Sequence, residues 1–336
     1  MNRKEEIIVV SDSFREIEYA VTSAESGMTI HELLRKVLNI SAREEARCKQ
    51  FEDGILIKES EVHPKKDTTF LPEMPKDKDY GDFAPARAID KVYEGDVLRI
   101  KIYEDNDNAS EIVPSDAPIE VVYEDEDLIL VNKPGDMVVH PSYAHFTDSL
   151  SNRLAGYYNR TGQQHVIRVI GRLDRETSGL IIFAKNRHSA ALLSDQTRNM
   201  SRRKEYLALC SGVFEEKEGT VNAPIERLPG DRMIRQVRED GKEAITHYLV
   251  EQQFEDYALV RLHLDTGRTH QIRVHMQYIG HPLLGDSLYG KEIRDHHGMK
   301  RAALHAAHLE FKQPLSGESL KFEAPLPEDM AGLLLL

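Results

Sequence analysis

Apolar and polar residues alternate twice within the first hundred or so positions, in FREIEYAV (14–21) and VLRIKIY (97–103), and a period of two predicts half-buried strands. Between them, Thr29 with Glu32 and Ser41 with Glu44 have capping-box spacing, and Leu33, Leu34, Val37 and Leu38 follow the first box at helical intervals. Two helices are expected there, followed by a strand and turn in GILIKESEV (54–62). Residues 63–87 are rich in Pro, Lys and Asp and keep no period, which predicts a long surface insertion.

A second patterned region starts near Ile119. VVYEDEDLILVNKP (121–134) sets two β-rich runs about a short acidic turn, the pattern of a hairpin. Strand-like runs recur in LIIFAK, EYLALCSG, AITHYLV, YALVRLHL and HLEFKQP, and helical intervals in SLSNRLAGYY, HSAALLSDQTRN and THQIRVHMQYIG. The mixture predicts a strand-rich α+β domain. EDNDNASEIVPSDAP (104–118) is polar, acidic and closed by prolines, with almost nothing to bury. The chain is therefore expected to divide into a small α+β domain over 1–105, an acidic linker over 106–118 and a larger domain over 119–330.

Composition supports a soluble two-domain protein: 336 residues, 40% hydrophobic and 30% charged. The apolar stretches in MNRKEEIIVV and the closing LLLL are too short for a signal or a membrane span, so no membrane role is expected. With only Cys48 and Cys210, in different predicted domains, a reducing, cytoplasmic setting is expected rather than a disulfide framework. Charge is unevenly spread: the net value is −13, and ten acidic residues lie between Lys101 and Asp127 against that one lysine. Basic residues bunch as Arg168, Arg172 and Arg175, as Arg202, Arg203 and Lys204, and as Arg227, Arg232, Arg235 and Arg238 in a loop-like stretch. A solvated face is the plain reading of any one such cluster.

Several chemistries fail on spacing. There is no G-x-S-x-G elbow and no G-x-G-x-x-G, and where Gly280 and Gly285 have phosphate-loop spacing, Asp286 replaces the required Lys. His263, His270 and His275, and the pair His305 and His308, do not match zinc spacings, so structural or RNA-facing histidines are expected and no metal. Three segments remain. GRLDRETSG (171–179) places Asp174 between Arg172 and Arg175 in a Gly-bounded turn, RKEYLALCSG (203–212) sets Tyr206 beside a basic run, and residues 265–290 pack Arg268, His270, Gln271 and Arg273 into six positions. Singly, each has a plain alternative: Asp174 as a turn cap, Tyr206 as strand core. Their density of polar groups is costly to bury unless paired or functional.

Together LVNKPGDMVVHPS, GRLDRETSGLIIFAKN, RKEYLAL, TGRTHQIRVHMQYIGHPLLGDSLYG and RAALHAAHLEF resemble, in order, the motifs of RluA-type RNA pseudouridine synthases, over roughly residues 119–326. One departure is Gly171, where the family more often has His. The resemblance implies a mixed, largely antiparallel sheet with flanking helices, and isomerisation of a flipped-out uridine in ribosomal RNA, or alternatively transfer RNA. It implies Asp174 as the catalytic carboxylate acting at the ribose, with Arg273 as the partner cation that keeps it deprotonated. Tyr206 would stack on the base, with its hydroxyl near the carbon-5 proton, and Arg172 would fill the gap left by the base or hold its phosphate. Arg175, Arg202, Arg203, Lys204, Arg268 and His270 are the further RNA-facing candidates. An isomerisation exchanges nothing with a second substrate, so no cofactor is expected, and the protein is expected to be a monomer. The first domain resembles a diverged S-four-type RNA-binding domain, with Ser41, Arg43 and GILI at the RNA-facing positions. Two rivals remain: a non-catalytic RNA-binding factor on the same fold, and a glycosidase, which would want a second carboxylate beside the first.

Overall fold

The computed structural model describes residues 14–64, 79–104, 112–231 and 233–335. Most of the 63–87 insertion, the first part of the linker and Arg232 lie outside the described residues. The chain forms two compact units, one within 1–109 together with 186–188, the other made of 110–185 and 189–336.

In the first unit the two alternating stretches form β1 (Phe14–Ala20) and β4 (Val97–Tyr103), antiparallel with Phe14 opposite Tyr103. β2 (Ile55–Lys58) and β3 (Ala84–Pro85) complete the order β1-β4-β2-β3. The end of the insertion thus returns as an edge strand, with Pro85 opposite Leu56, too short to leave a period in the sequence. Helices α1 (Ile30–Lys36) and α2 (Ala42–Cys48) both begin in complete capping boxes, at Thr29 and Ser41. Leu33 and Leu34 are buried, as are Leu98, Ile100 and Ile102 of β4.

Among the described residues of the second unit, ten strands share one sheet. They are β5 (Val121–Glu124), β6 (Leu128–Lys133), β7 (Arg168–Ile170), β8 (Ser178–Ala184), β9 (Arg203–Ser211), β10 (Glu218–Asn222), β13 (Ile245–Gln253), β14 (Tyr257–Leu264), β15 (Leu304–Lys312) and β16 (Ser319–Glu323). The order is β10-β13-β14-β9-β15-β8-β6-β5, with β16 beside β15 and β7 beside β8; every pairing is antiparallel except β15 with β8. The stretch read as a loop around Arg227–Arg238 instead carries a separate antiparallel pair, β11 (Ile225–Arg227) and β12 (Arg235–Val237). Three residues per strand are too few to show a period.

Continuous apolar runs such as LILV and LIIF arise because the sheet is covered on both faces. Ile129, Val131, Ile181 and Phe183 pack with Leu150, Leu154 and Tyr158 of helix α3 (Leu150–Arg160), and their strand neighbours Leu128, Leu130, Leu180 and Ile182 pack in a different cluster with Leu193 of helix α4 (Arg187–Arg198). Further along, Ala208, Val260 and Leu262 meet Ile272 and Met276 of helix α5 (Gln271–Tyr278), while Leu209 and Leu259 meet Met330 of helix α6 (Glu328–Ala331). No helix among the described residues is long and apolar enough to cross a membrane.

The described part of the linker is bound rather than free. Ser115 N donates to Asn152 O at 2.9 Å, Asn152 Nδ2 donates to Val113 O at 2.7 Å, and Arg153 reaches Pro118 O, so residues 113–118 lie along α3. This explains a glycine inside that helix. A Cβ on Gly156 would stand 1.9 Å from Ser115 O. We therefore expect Gly156→Ala to destabilise the protein, because overpacking costing about 1–3 kcal/mol outweighs a helix-propensity gain of about 1 kcal/mol. Denaturant titration measures the net change, and a variant more stable than the parent would contradict the packing argument.

Candidate active site

Asp174 sits in a turn between β7 and β8 whose closure begins with Gly171 at φ +80°. A Cβ there would meet the Arg202 guanidinium at 3.1 Å, so the glycine at this position also gives Arg202 its place, from which it donates to Ile170 O at 3.2 Å. Leu173 anchors the turn in the core, and Thr177 N donates to Asp174 O at 3.2 Å. The next support comes from a residue within the LVNKPGDMVVHPS motif to which sequence reasoning assigned no role of its own. Lys133, at the end of β6 and 1% exposed, donates from Nζ to Pro134 O and Met137 O at 2.8 Å and to Arg175 O at 3.1 Å. Burial pulls its pKa down to about 7, helped by Arg301 and opposed by Asp174 and Asp136. The same three carbonyls favour the ammonium, which ties the loop after β6 to the backbone directly beyond Asp174.

Two lobes of a cleft, each about 540 Å³, meet at Asp174, and both are also lined by Arg172, Leu173, Thr269, His270 and Arg273. The Asp174 carboxylate takes part in no hydrogen bond or ion pair among the described residues. Its acidic neighbours are committed. Asp286 accepts a bidentate pair from Arg273, Nε and Nη2 both at 2.7 Å, and also accepts the Leu288 and Tyr289 amides at 2.9 Å. Glu176 accepts from Ser287 Oγ at 3.0 Å and Ala302 N at 2.7 Å, with Arg273 Nη2 at 3.4 Å.

The charge pairing expected between Arg273 and Asp174 involves no hydrogen bond in the structure. The guanidinium, 2% exposed, has its fork filled by Asp286, and it reaches Asp174 only through space. A fork geometry accepts one carboxylate edge-on, and the turn at Asp286 presents its own with both oxygens aligned. The residue that the phosphate-loop test dismissed is thus the structural partner.

Strand β9 sorts the basic run by alternation. Lys204 and Tyr206 face the cleft, with the Lys204 ammonium 5.2 Å from the centre of the Tyr206 ring. Burial lowers the Lys204 pKa to about 7, aided by Arg202. Burial also pushes the Tyr206 phenol up, opposed by Arg202 and reinforced by Asp174, and its hydroxyl has no hydrogen-bond partner among the described residues. Arg203 lies outside the cleft lining, in an ion-pair chain with Glu205, Arg261 and Glu251. Arg175 is exposed and pairs with Asp136 at 2.7 Å, whereas Arg172 is exposed with no ion pair among the described residues. Arg43 is exposed on α2 in the other unit.

The TGRTHQIR segment enters α5 through His270 at φ +59°, a left-handed conformation that a non-glycine residue adopts at a cost. The turn is held by Gln271, which accepts from Thr266 Oγ1 and Arg268 N and donates to Ile245 O and Thr246 Oγ1. Arg268 is exposed at the cleft and tethered to Glu243 O. Burial lowers the His270 pKa, with Asp174 opposing, and Nδ1 lies 2.9 Å from the Tyr289 hydroxyl. His275 and His305 are structural: His275 lies between Thr246 Oγ1 and Ala223 O, and His305 between Ser178 Oγ and Ala324 O.

A family profile described as RNA pseudouridylate synthase matches residues 127–278. An uncharacterized RNA pseudouridine synthase of Bacillus subtilis (strain 168), YjbO, is 40% identical over 241 residues, covering 72% of this chain and 84% of the relative. A ribosomal large subunit pseudouridine synthase D of Pasteurella multocida is 37% identical over 258 residues, covering 73% and 78%. Among solved structures, human RNA pseudouridylate synthase domain containing 1 is similar, with a TM-score of 0.53, 27% identity and coverage of 62% of this chain and 83% of that one.

If Asp286 is what holds Arg273, Asp286→Ala leaves a buried guanidinium without its partner, and the expected loss is about 3–5 kcal/mol of folding stability. Chemical denaturation checks this; a loss below about 1 kcal/mol would show that Glu176 or Asp174 can take over the guanidinium at little cost.

Proposed function

This chain belongs to the RNA pseudouridylate synthase family and is an RNA pseudouridine synthase, and from that premise we propose that it isomerises uridines in structured RNA, ribosomal RNA before transfer RNA, with Asp174 as the catalytic carboxylate. The observation that carries the assignment is the single uncommitted carboxylate at the meeting point of two cleft lobes, with Glu176 and Asp286 both spent on hydrogen bonds. A glycosidase would need a second free carboxylate opposite the first, and these commitments speak against one. The names of relatives such as the ribosomal large subunit synthases D favour the ribosomal substrate.

A uridine held in a helix hides its reacting atoms, so it must leave the stack and be covered in the cleft. Tyr206 offers a ring for the base, and its hydroxyl is free among the described residues to meet the carbon-5 proton. Attack on the anomeric carbon and removal of the neighbouring ribose proton both need an accessible carboxylate oxygen, and the Asp174 oxygens face the cleft with no hydrogen bond among the described residues. Arg273 acts on that charge through space while Asp286 fixes its position. Arg172, exposed at the join of the two lobes, suits the gap left by the base or its phosphate, and Arg202, Lys204, Arg268 and His270 line the path for the backbone. The first unit acts as an S-four-like RNA-binding domain that presents Arg43, and the enzyme works as a cytoplasmic monomer.

Asp174→Asn should lower tritium release from carbon-5-labelled uridine in RNA by at least about 10²–10⁴-fold, the range for a positioned acid–base group, while folding and RNA affinity stay near the parent values. Normal release by that variant would refute the assignment. Tyr206→Phe keeps the stacking ring, so RNA capture should persist while release slows. A pH series tests the cleft lysine. Since the charged form of Lys204 is lost as pH rises through about 7, RNA affinity should fall across that window in the parent and stay flatter in Lys204→Met.

A further inference from the structure

No linear spacing in the sequence has the zinc pattern, but strand pairing brings together ligands that spacing alone does not show. His247 on β13 stands directly opposite His263 on β14, and Asp265, two positions beyond His263, returns to the same side. We infer that His247, His263 and Asp265 form a binding site for a divalent cation of the zinc class at the edge of the cleft. His247 Nε2 lies 2.9 Å from Asp265 Oδ2, His263 Nδ1 lies 3.7 Å from Asp265 Oδ1, and one donor atom from each residue falls within 4.8 Å of the others. A tetrahedral ion with ligand bonds of about 2.0–2.1 Å needs donors about 3.3 Å apart, and the two contacts, each to a different oxygen of Asp265, lie one below and one above that spacing.

A support for the first ligand is already in place. Thr220 on β10, opposite His247 in register, has its hydroxyl 2.8 Å from His247 Nδ1. By accepting the Nδ1 proton it leaves the Nε2 lone pair free for a metal, as hydrogen-bonded outer partners of ligating histidines do. Two imidazoles and one carboxylate suit zinc, cobalt or nickel better than magnesium or calcium. The three side chains are 40%, 39% and 30% exposed, and His263 and Asp265 line the cleft, so the remaining coordination positions open toward it. On the proposed RNA function, those positions would take a phosphate oxygen of the bound strand. The chain carries a net charge of −13, and a cation at the edge of its cleft offsets the repulsion of a polyanion there. The cation takes no part in the isomerisation.

The test uses the full chain freed of metal and titrated with Co²⁺, whose visible absorption reports nitrogen and oxygen ligation. One Co²⁺ per chain, displaced by Zn²⁺, is expected. His263→Ala and Asp265→Asn should lose the signal, Thr220→Val should weaken binding about 10–100-fold, and His297→Ala, at a different histidine–carboxylate contact, should leave it unchanged. Circular dichroism of each variant separates loss of ligand from loss of fold. No Co²⁺ signal in the parent, or an undiminished signal in the folded His263→Ala and Asp265→Asn variants, overturns the site. RNA affinity with Zn²⁺ and with chelator forms a second arm. A gain of about tenfold with Zn²⁺ that His263→Ala abolishes supports the phosphate role, and metal binding with unchanged RNA affinity overturns that role. Failure of the pseudouridine assay would instead count against the proposed function and leave the metal titration standing.

Discussion

A guanidinium that is 2% exposed has to be neutralised where it lies, and the bidentate pair of Arg273 with Asp286 is the constraint around which the cleft is built. Desolvating both charges is costly, and such a pair is retained more for the geometry it enforces than for net stability. Here it fixes α5 to the turn at residues 286–289, whose amides Asp286 also accepts. Glu176 extends the same network to Ser287 and to Ala302 N. Since Glu176 belongs to the turn that carries Asp174, the position of the free carboxylate follows from the positions of the paired ones.

The opposite wall is held by one ammonium. Lys133 Nζ bonds carbonyls of residues 134, 137 and 175, so the loop after β6 and the backbone beyond Asp174 cannot separate without stranding buried polar groups. Arg301 plays a similar part, bonding Glu176 O and pairing with Asp329. The GRLDRET turn is therefore fastened on its backbone, while the Asp174 carboxylate itself takes part in no hydrogen bond among the described residues.

Much of this was legible beforehand. The alternation in FREIEYAV and VLRIKIY gave β1 and β4, the spacings at Thr29 and Ser41 gave two capped helices, and the apolar runs LILV and LIIF marked central strands. The family was legible too, because the polar segments around Asp174, Tyr206 and Arg273 keep their order along the chain. Missed were the short pieces, such as β11 and β12, which are too brief to establish a period, and the attachment of residues 113–118 to α3, which depends on the absence of a side chain at Gly156.

By itself, the sequence determined the longer strands and helices, the α+β class and the candidate residues of the site, because periodicity, capping and motif order are local properties of a chain. Only the tertiary structure decided who pairs with whom. Arg273 chose Asp286 over Asp174, β9 turned Lys204 and Tyr206 toward the cleft and Arg203 into an ion-pair chain, and β13 brought His247 opposite His263. Each of these depends on register and on the angle at which a charged group is presented across a gap in sequence, and such geometry exists only once the sheet has closed.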